Sequence, residues 1–220
     1  MRLNLQLTSL SLLAALWAGC ASMPSSPGSD PSLPAPQDKA ERAYLGLAAD
    51  ASAFKLEEVQ CEMLVVDFFD MYCHVCQSGA KHMDALYHLV QDRGLGNRIK
   101  FVGIGVGDTP LEVAMFKDKL HVPFPVFPDR KAVIARQYGD IRVPSVVALV
   151  HRDGKFEVIH RSTGLPEHPE EFLEHLQNQA AHPEASRQSR ADRFNSATCA
   201  GPPGHCTRSD LRLSEVTAVR

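Results

Sequence analysis

The sequence predicts an α/β domain built on a mixed β-sheet flanked by helices, and three observations carry that prediction. A continuous apolar run from Met63 to Phe69 (MLVVDFF) is followed by apolar positions at helical spacing, as when a strand covered on both faces feeds an amphipathic helix. The order of strand then helix repeats between Ile99 and Leu120. Further on, two strand-like runs flank HRDG, whose Asp153-Gly154 pair signals a hairpin and so an antiparallel addition to the sheet.

Taken in order, the chain opens MRLNLQLTSLSLLAALWAGC, with Arg2, an apolar run from Leu10 to Ala18, then small residues and Cys20. That run is too short for a permanent membrane helix and has the layout of a secretory signal over residues 1–19. Ala18, Gly19 and Cys20 resemble the bacterial lipoprotein signal, although Trp17 stands where Leu is usual. The resemblance implies cleavage before Cys20 and acylation of it, with acyl chains contributing about 0.8 kcal/mol per buried CH₂. Residues 21–38 hold five Pro, five Ser and no aromatic, so residues 20–39 read as a lipidated cysteine and a linker with too little apolar surface to fold. Eighteen such residues reach roughly 55 Å at ~3.1 Å each.

Residues 40–181 suit one domain with a single core. After the strand at Met63 to Phe69, a helix starts at Cys73 and buries Cys76, Ala80, Met83, Leu86 or Tyr87, and Val90, with Gly94 and Gly96 ending it. Ile99 to Val106 reads as a strand, Leu111 to Leu120 as a helix, and Lys131 to Tyr138 as a short helix. Pro123 to Pro128 (PFPVFP) reads as an extended wall. Ser145 to Val150 and Phe156 to His160 form the hairpin, and a last helix covers Pro169 to Ala181. Residues 182–220 are polar and irregular, a disordered tail carrying Cys199 and Cys206. A net charge of −3 without a basic cluster gives no support to nucleic-acid binding, and no nucleic acid is expected as a partner.

The chemistry gathers in DFFDMYCHVCQ, residues 67 to 77. Cys73 stands at a helix start, where unpaired N–H groups and the helix dipole favour an anion. Its thiol should therefore titrate below the free value of about 8.5. Cys76, three residues on, lies on the same turn, within reach of a disulfide and more sheltered. Cys73 can attack a substrate disulfide and Cys76 can resolve the mixed disulfide. Competing readings are weaker. A zinc site lacks a second CxxC or a close His pair beside His74 and His82. Haem attachment needs a His at position 77, which is Gln. A purely structural bridge would close too small a loop to constrain the unfolded chain much.

The stretch VVDFFDMYCHVC resembles the active-site strand and turn of the thioredoxin-like fold, and three downstream features agree in order. Val143-Pro144 in RVPSVVALV resembles the cis-proline that faces the CxxC; DGKFEVIHRSTG followed by EEFLEHL resembles the terminal hairpin and helix. FPVFPDRKAVIARQYGDIRVPS resembles the redoxin-type insertion before the cis-Pro strand, as in TlpA/ResA-like thiol-disulfide oxidoreductases, a family of membrane-tethered redoxins. The likeness spans about Phe54 to Ala181.

By this resemblance Cys73 is the attacking thiol, Cys76 the resolving one, and Pro144 shapes the client groove and keeps metals off the thiols. Asp67 falls at the buried acid that moves protons at the second cysteine. Independently, an acid inside an apolar strand is costly to ionise, so its pKa should rise. Tyr72 replaces the usual Trp; His74 and Val75 fill the motif without a proline, and Lys81 replaces the proline expected five residues after Cys76. A charged His74 would favour the reduced form and make the disulfide more oxidising, whereas the family favours a reductase, so direction stays open.

Cys61 precedes the central strand as an inert thiol or a partner for the tail. Cys199 and Cys206, in CAGPPGHC, are expected to form a second, local disulfide. With Cys61, Cys73 and Cys76 the count is odd, leaving one thiol free. The expected function is a membrane-tethered thiol-disulfide oxidoreductase of the bacterial cell envelope, facing the periplasm and reducing protein disulfides. It needs no cofactor beyond the Cys73-Cys76 disulfide and no resident metal. Its partners are protein dithiol or disulfide clients, a membrane electron donor, and the lipid bilayer through Cys20; inner against outer membrane is undecided. The alternatives are a peroxide-reducing redoxin, which lacks a Thr or Ser three places before either cysteine, and a copper or zinc carrier using Cys73, Cys76 and His74.

Overall fold

The computed structural model describes residues 31–139, 141–152 and 154–182. The expectations for residues 1–19, for Cys20, and for Cys199, Cys206 and the rest of the tail beyond residue 182 lie outside the described residues.

Five strands form the main sheet. In chain order they are β3 (Met63–Phe69), β4 (Ile99–Val106), β5 (Val126–Asp129), β6 (Ser145–Arg152) and β7 (Lys155–Thr163), arranged β5-β4-β3-β6-β7. The first three run parallel, while β6 pairs antiparallel with β3 and β7 antiparallel with β6. This is the expected mixed sheet and the topology of the thioredoxin-like fold. All seven residues of β3 are buried because the strand has neighbours on both edges and cover on both faces.

Period-2 alternation divides β3 between two apolar layers. Met63, Val65 and Phe69 pack with helices α2 (His74–Asp92) and α5 (Pro169–Ala181). Leu64, Val66 and Phe68 face the opposite layer. Helix α2 buries Cys76, Ala80, Met83, Leu86 and Val90, the stripe read from sequence. After it, Gly94 adopts φ +68° and donates to the carbonyl of Gln91, a conformation glycine takes without a Cβ penalty. Helix α3 (Pro110–Leu120) starts on a capping box in which Thr109 and Glu112 satisfy each other's backbone N–H groups. The hairpin between β6 and β7 has Gly154 at φ +78°, and its register shifts between Ala148 and Leu149.

Two expectations are corrected. The linker was expected to run unfolded to residue 39, yet Leu33–Pro34 forms β1, antiparallel to β2 (Ala53–Phe54), and Leu33 and Ala35 are buried. Helix α1 (Lys39–Leu45) follows, capped by Asp38. From α1 the Arg42 guanidinium donates to the carbonyls of Pro36 at 2.7 Å and Ala51 at 2.8 Å, fastening both flanking segments, and Tyr44 Oη accepts from Phe101 N–H at 2.8 Å. Averaged composition hid Leu33 and Ala35, two apolar residues that join the second buried layer. The stretch Pro123 to Pro128, expected to be extended, ends in strand β5; Pro128 is tolerated there because an edge strand is paired on one side only. Secondly, the helix expected over Lys131 to Tyr138 is the shorter α4 (Val133–Gln137), whose N-cap is Ala132 and whose first N–H groups reach back to β5, the Asp129 carboxylate accepting from Val133 and Ala135 N–H at 2.7 and 2.9 Å. Among the described residues no helix is long and apolar enough to cross a membrane.

Candidate active site

The strand-to-helix turn after β3 carries the cysteine pair. Cys73 is the N-cap of the 19-residue α2, and its Sγ accepts from the Cys76 N–H at 3.1 Å. The two form a disulfide with a Cα separation of 5.2 Å. They differ in access: Cys73 is half-buried and Cys76 is 1% exposed. Helix-terminal N–H groups aimed at Cys73 are what a thiolate there would need.

Several groups hold the turn. Cys73 N–H donates to the Asp70 carbonyl at 3.1 Å, and Tyr72 N–H to the Asp70 carboxylate at 2.7 Å. Met71 N–H donates to Asp108 Oδ2 at 2.9 Å, and the Gln77 amide returns from α2 to the Met71 carbonyl at 2.6 Å. Asp108 was not identified from sequence. It is buried, and burial pushes its carboxyl up to about 6 despite the Met71 hydrogen bond. Gly105 makes room for it, since a Cβ there would come within 2.7 Å of Asp108 Oδ2. In sequence Asp108 looks like any polar residue ahead of a helix start; only the fold brings it to Met71, 37 positions away.

Asp67 lies in the centre of β3, opposite Gly103 of β4 and Val146 of β6. Its place in the alternation of β3 puts it on the α2 face with Val65 and Phe69, the layer that also holds Cys76. It is 5% exposed, its Oδ1 has no hydrogen-bond partner, and burial pushes its carboxyl up to about 7. Neither an edge position nor a backbone bond to that oxygen is found, so the acid stands in apolar surroundings.

The Val143–Pro144 peptide bond is cis. Pro144 is buried, and its carbonyl accepts from Gly164 N–H at 2.8 Å. Val143, Cys73 and Leu165 together fringe the apolar cluster that contains Cys76, so the proline loop and the cysteine turn border one core. Leu165, also missed from sequence, rests on Gly79 of α2: a Cβ at 79 would stand 2.5 Å from Leu165 Cδ1.

Tyr72, 75% exposed, donates from its hydroxyl to Glu112 Oε1 at 2.8 Å, which raises its pKa above the ordinary phenol range. His74 and Val75 are exposed on the first turn of α2. Cys61 is half-buried and is the free thiol among the described residues; burial pushes it up to about 12 although Lys100 opposes the shift. Among the described residues no three His, Cys, Asp or Glu side chains group as a metal centre requires.

Residues 34–162 match the AhpC/TSA family. Over 131 residues the chain is 22% identical to the thiol-disulfide oxidoreductase ResA of Halalkalibacterium halodurans, covering 60% of this chain and 72% of that protein. It is 24% identical over 122 residues to ResA of Geobacillus thermodenitrificans, covering 56% and 67%. Among solved structures, StoA from Bacillus subtilis aligns at 19% identity with a TM-score of 0.43, over 52% of this chain and 82% of that one.

Proposed function

The chain belongs to the AhpC/TSA family and is a thiol-disulfide oxidoreductase of thioredoxin-like fold, and on that premise we propose that it reduces protein disulfides in the periplasm while tethered to a membrane through Cys20. The observation that carries the proposed cycle is the asymmetry of the pair: a half-buried Cys73 at the positive end of α2, with Cys76 sheltered behind it.

In this cycle the Cys73 thiolate attacks one sulfur of a client disulfide. The client S–S bond breaks, a Cys73–client disulfide forms, and the other client sulfur leaves as a thiolate that takes up a proton. Cys76 gives its proton to the Asp67 carboxylate and attacks Cys73 Sγ. The mixed disulfide breaks, the Cys73-Cys76 disulfide forms, and the second client sulfur leaves and is protonated. The client gains two electrons and the pair loses two; a dithiol donor in the membrane restores the pair by the reverse exchange. Pro144 borders the groove that receives the client, and His74, when charged, would lower the cost of the Cys73 thiolate and pull the potential toward oxidation.

Trapping tests the reading. Cys76→Ser should accumulate a stable mixed disulfide on Cys73 that dithiothreitol releases. An unreactive Cys73 that captures nothing would remove the catalytic assignment.

The AhpC/TSA match supplies a specific reason to weigh peroxide reduction as a second reading. Against it, the position three before Cys73 is Asp70, whose carboxylate accepts from Tyr72 N–H; a hydroxyl there is part of the peroxidatic pattern. A peroxide assay on Cys73→Ser and Cys76→Ser separates the two, since a peroxidase would keep turnover in one variant with an external thiol.

A further inference from the structure

We propose that the outer face of α3, continuous with the cysteine turn, is a docking strip that selects client segments with an apolar and a basic residue beside the cysteine. The inference rests on the thiol-disulfide reading above and names the chemistry of its client.

Among the described residues the exposed large apolar side chains are Tyr72 (75%), Val75 (61%), Leu111 (70%) and Met115 (49%). They fall in just two segments, the cysteine turn and the first turns of α3. Leu111 and Met115 are four apart and so share one helix face, while Val113 and Phe116 point into the core. The Tyr72 hydroxyl donates to Glu112, the residue after Leu111, and ties the two segments together. Phe116 stacks on Phe69 of β3 with ring centroids 4.0 Å apart, holding α3 in place under the strip. Clustered exposed apolar groups of this kind mark interaction sites, whereas scattered ones do not.

The rim supplies the charge. Glu112 Oε2 accepts from both Thr109 N–H and Thr109 Oγ at 2.7 Å, and these bonds hold its carboxyl below the ordinary range. Asp70 adds a second acid at the turn. Arg130 offsets part of the charge on Glu112, and Lys119, four residues past Met115, donates to Gln77 Oε1 at 3.3 Å beside the turn; Asp118, three residues past Met115 on the same face, keeps the balance acidic, three acids against two bases. An acidic rim disfavours anionic lipid and favours a basic partner group. Four side chains fall far short of the ~800 Å² per partner that a stable dimer buries, so a second copy is a poor occupant. A short extended segment that brings its own sulfur to Cys73 fits both the size and the position.

The test uses the pre-reduced full chain in single turnover against two cyclic disulfide peptides, alike but for Arg or Glu beside a Leu-Cys step, and against hydroxyethyl disulfide as a minimal substrate. The expected wild-type result is faster reduction of the Arg peptide, by about threefold, the scale of an exposed charge pair. The double variant Leu111→Ser, Met115→Ser should lower the ratio of peptide to hydroxyethyl disulfide rate constants about tenfold, the scale of losing two partly covered apolar side chains. Glu112→Gln should erase the Arg preference and Glu112→Arg should invert it. Unchanged ratios in the double variant, or a charge preference insensitive to both Glu112 variants, would overturn the docking strip while leaving the redox reading intact. A wild-type protein inert toward hydroxyethyl disulfide as well as both peptides would overturn the redox reading itself.

Discussion

Replacing Asp67 with asparagine should shift the stability difference between variant and wild type in the variant's favour as the pH rises from about 4 to about 7. The carboxyl lies 5% exposed in the middle of β3, with one oxygen unpartnered, and burial moves its pKa from 3.8 to about 7. Because the folded value is the higher one, the neutral acid folds without penalty below about pH 4. Stability is then lost as the pH climbs toward and through the folded value. At about 1.4 kcal/mol per pH unit the loss approaches about 4 kcal/mol. Linkage spreads it as about 2 kcal/mol at pH 5, about 3 at pH 6 and about 4 at pH 8. Asparagine never ionises, so it escapes the pH-dependent part, while its amide adds a constant offset of either sign. The informative quantity is thus the slope: variant minus wild-type stability, from urea unfolding of the oxidised protein, should grow by about 2–3 kcal/mol between pH 5 and pH 8. A flat difference would refute the claim that Asp67 titrates in the interior. The same variant bears on chemistry, because a relay through Asp67 predicts slower resolution of the mixed disulfide by Cys76. Rates unchanged from about pH 6 to about pH 9 would end that proposal.

Cys61, its thiol pushed up to about 12 by burial, should react with iodoacetamide at pH 8 far more slowly than Cys73 of the reduced protein, as read by mass mapping of the labelled peptides. Asp108→Ala should cost about 1–3 kcal/mol by leaving Met71 N–H without its acceptor, and urea midpoints measure it; a silent substitution would mean the turn stands without that bond. Leu33→Ala should cost about 2–5 kcal/mol if β1 belongs to the domain core, since Leu33 is 1% exposed. A neutral result in the same unfolding assay would return that segment to the linker.

What could be read from the sequence was what depends on periodicity. The bounds of β3, β4 and α5 agree with the apolar runs, because a strand covered on both faces is apolar at nearly every residue and a helix with one face on a core repeats its apolar residues at every third and fourth position. The cysteine turn was legible for a related reason, CxxC spacing being local. The N-terminal strap was not, since a two-residue strand such as Leu33–Pro34 has no period to detect and draws its stability from Phe54 across the pair and from Arg42. The edge strand β5 was obscured by Pro125 and Pro128. Asp108 and Leu165 escaped because each acquires its meaning from a contact distant in sequence, with Met71 and with Gly79.

The strap at Leu33 also alters the reach of the protein under the tether proposed for Cys20. With the chain fastened to the domain from residue 33, at most twelve residues, 21–32, separate Cys20 from the domain, a span of no more than ~37 Å at ~3.1 Å each. Against ~55 Å for eighteen residues, the accessible hemisphere shrinks to about a third of its volume. A donor embedded in the same bilayer would then meet Cys73 at about three times the effective concentration, while clients beyond that radius would have to diffuse to the membrane surface to be reduced.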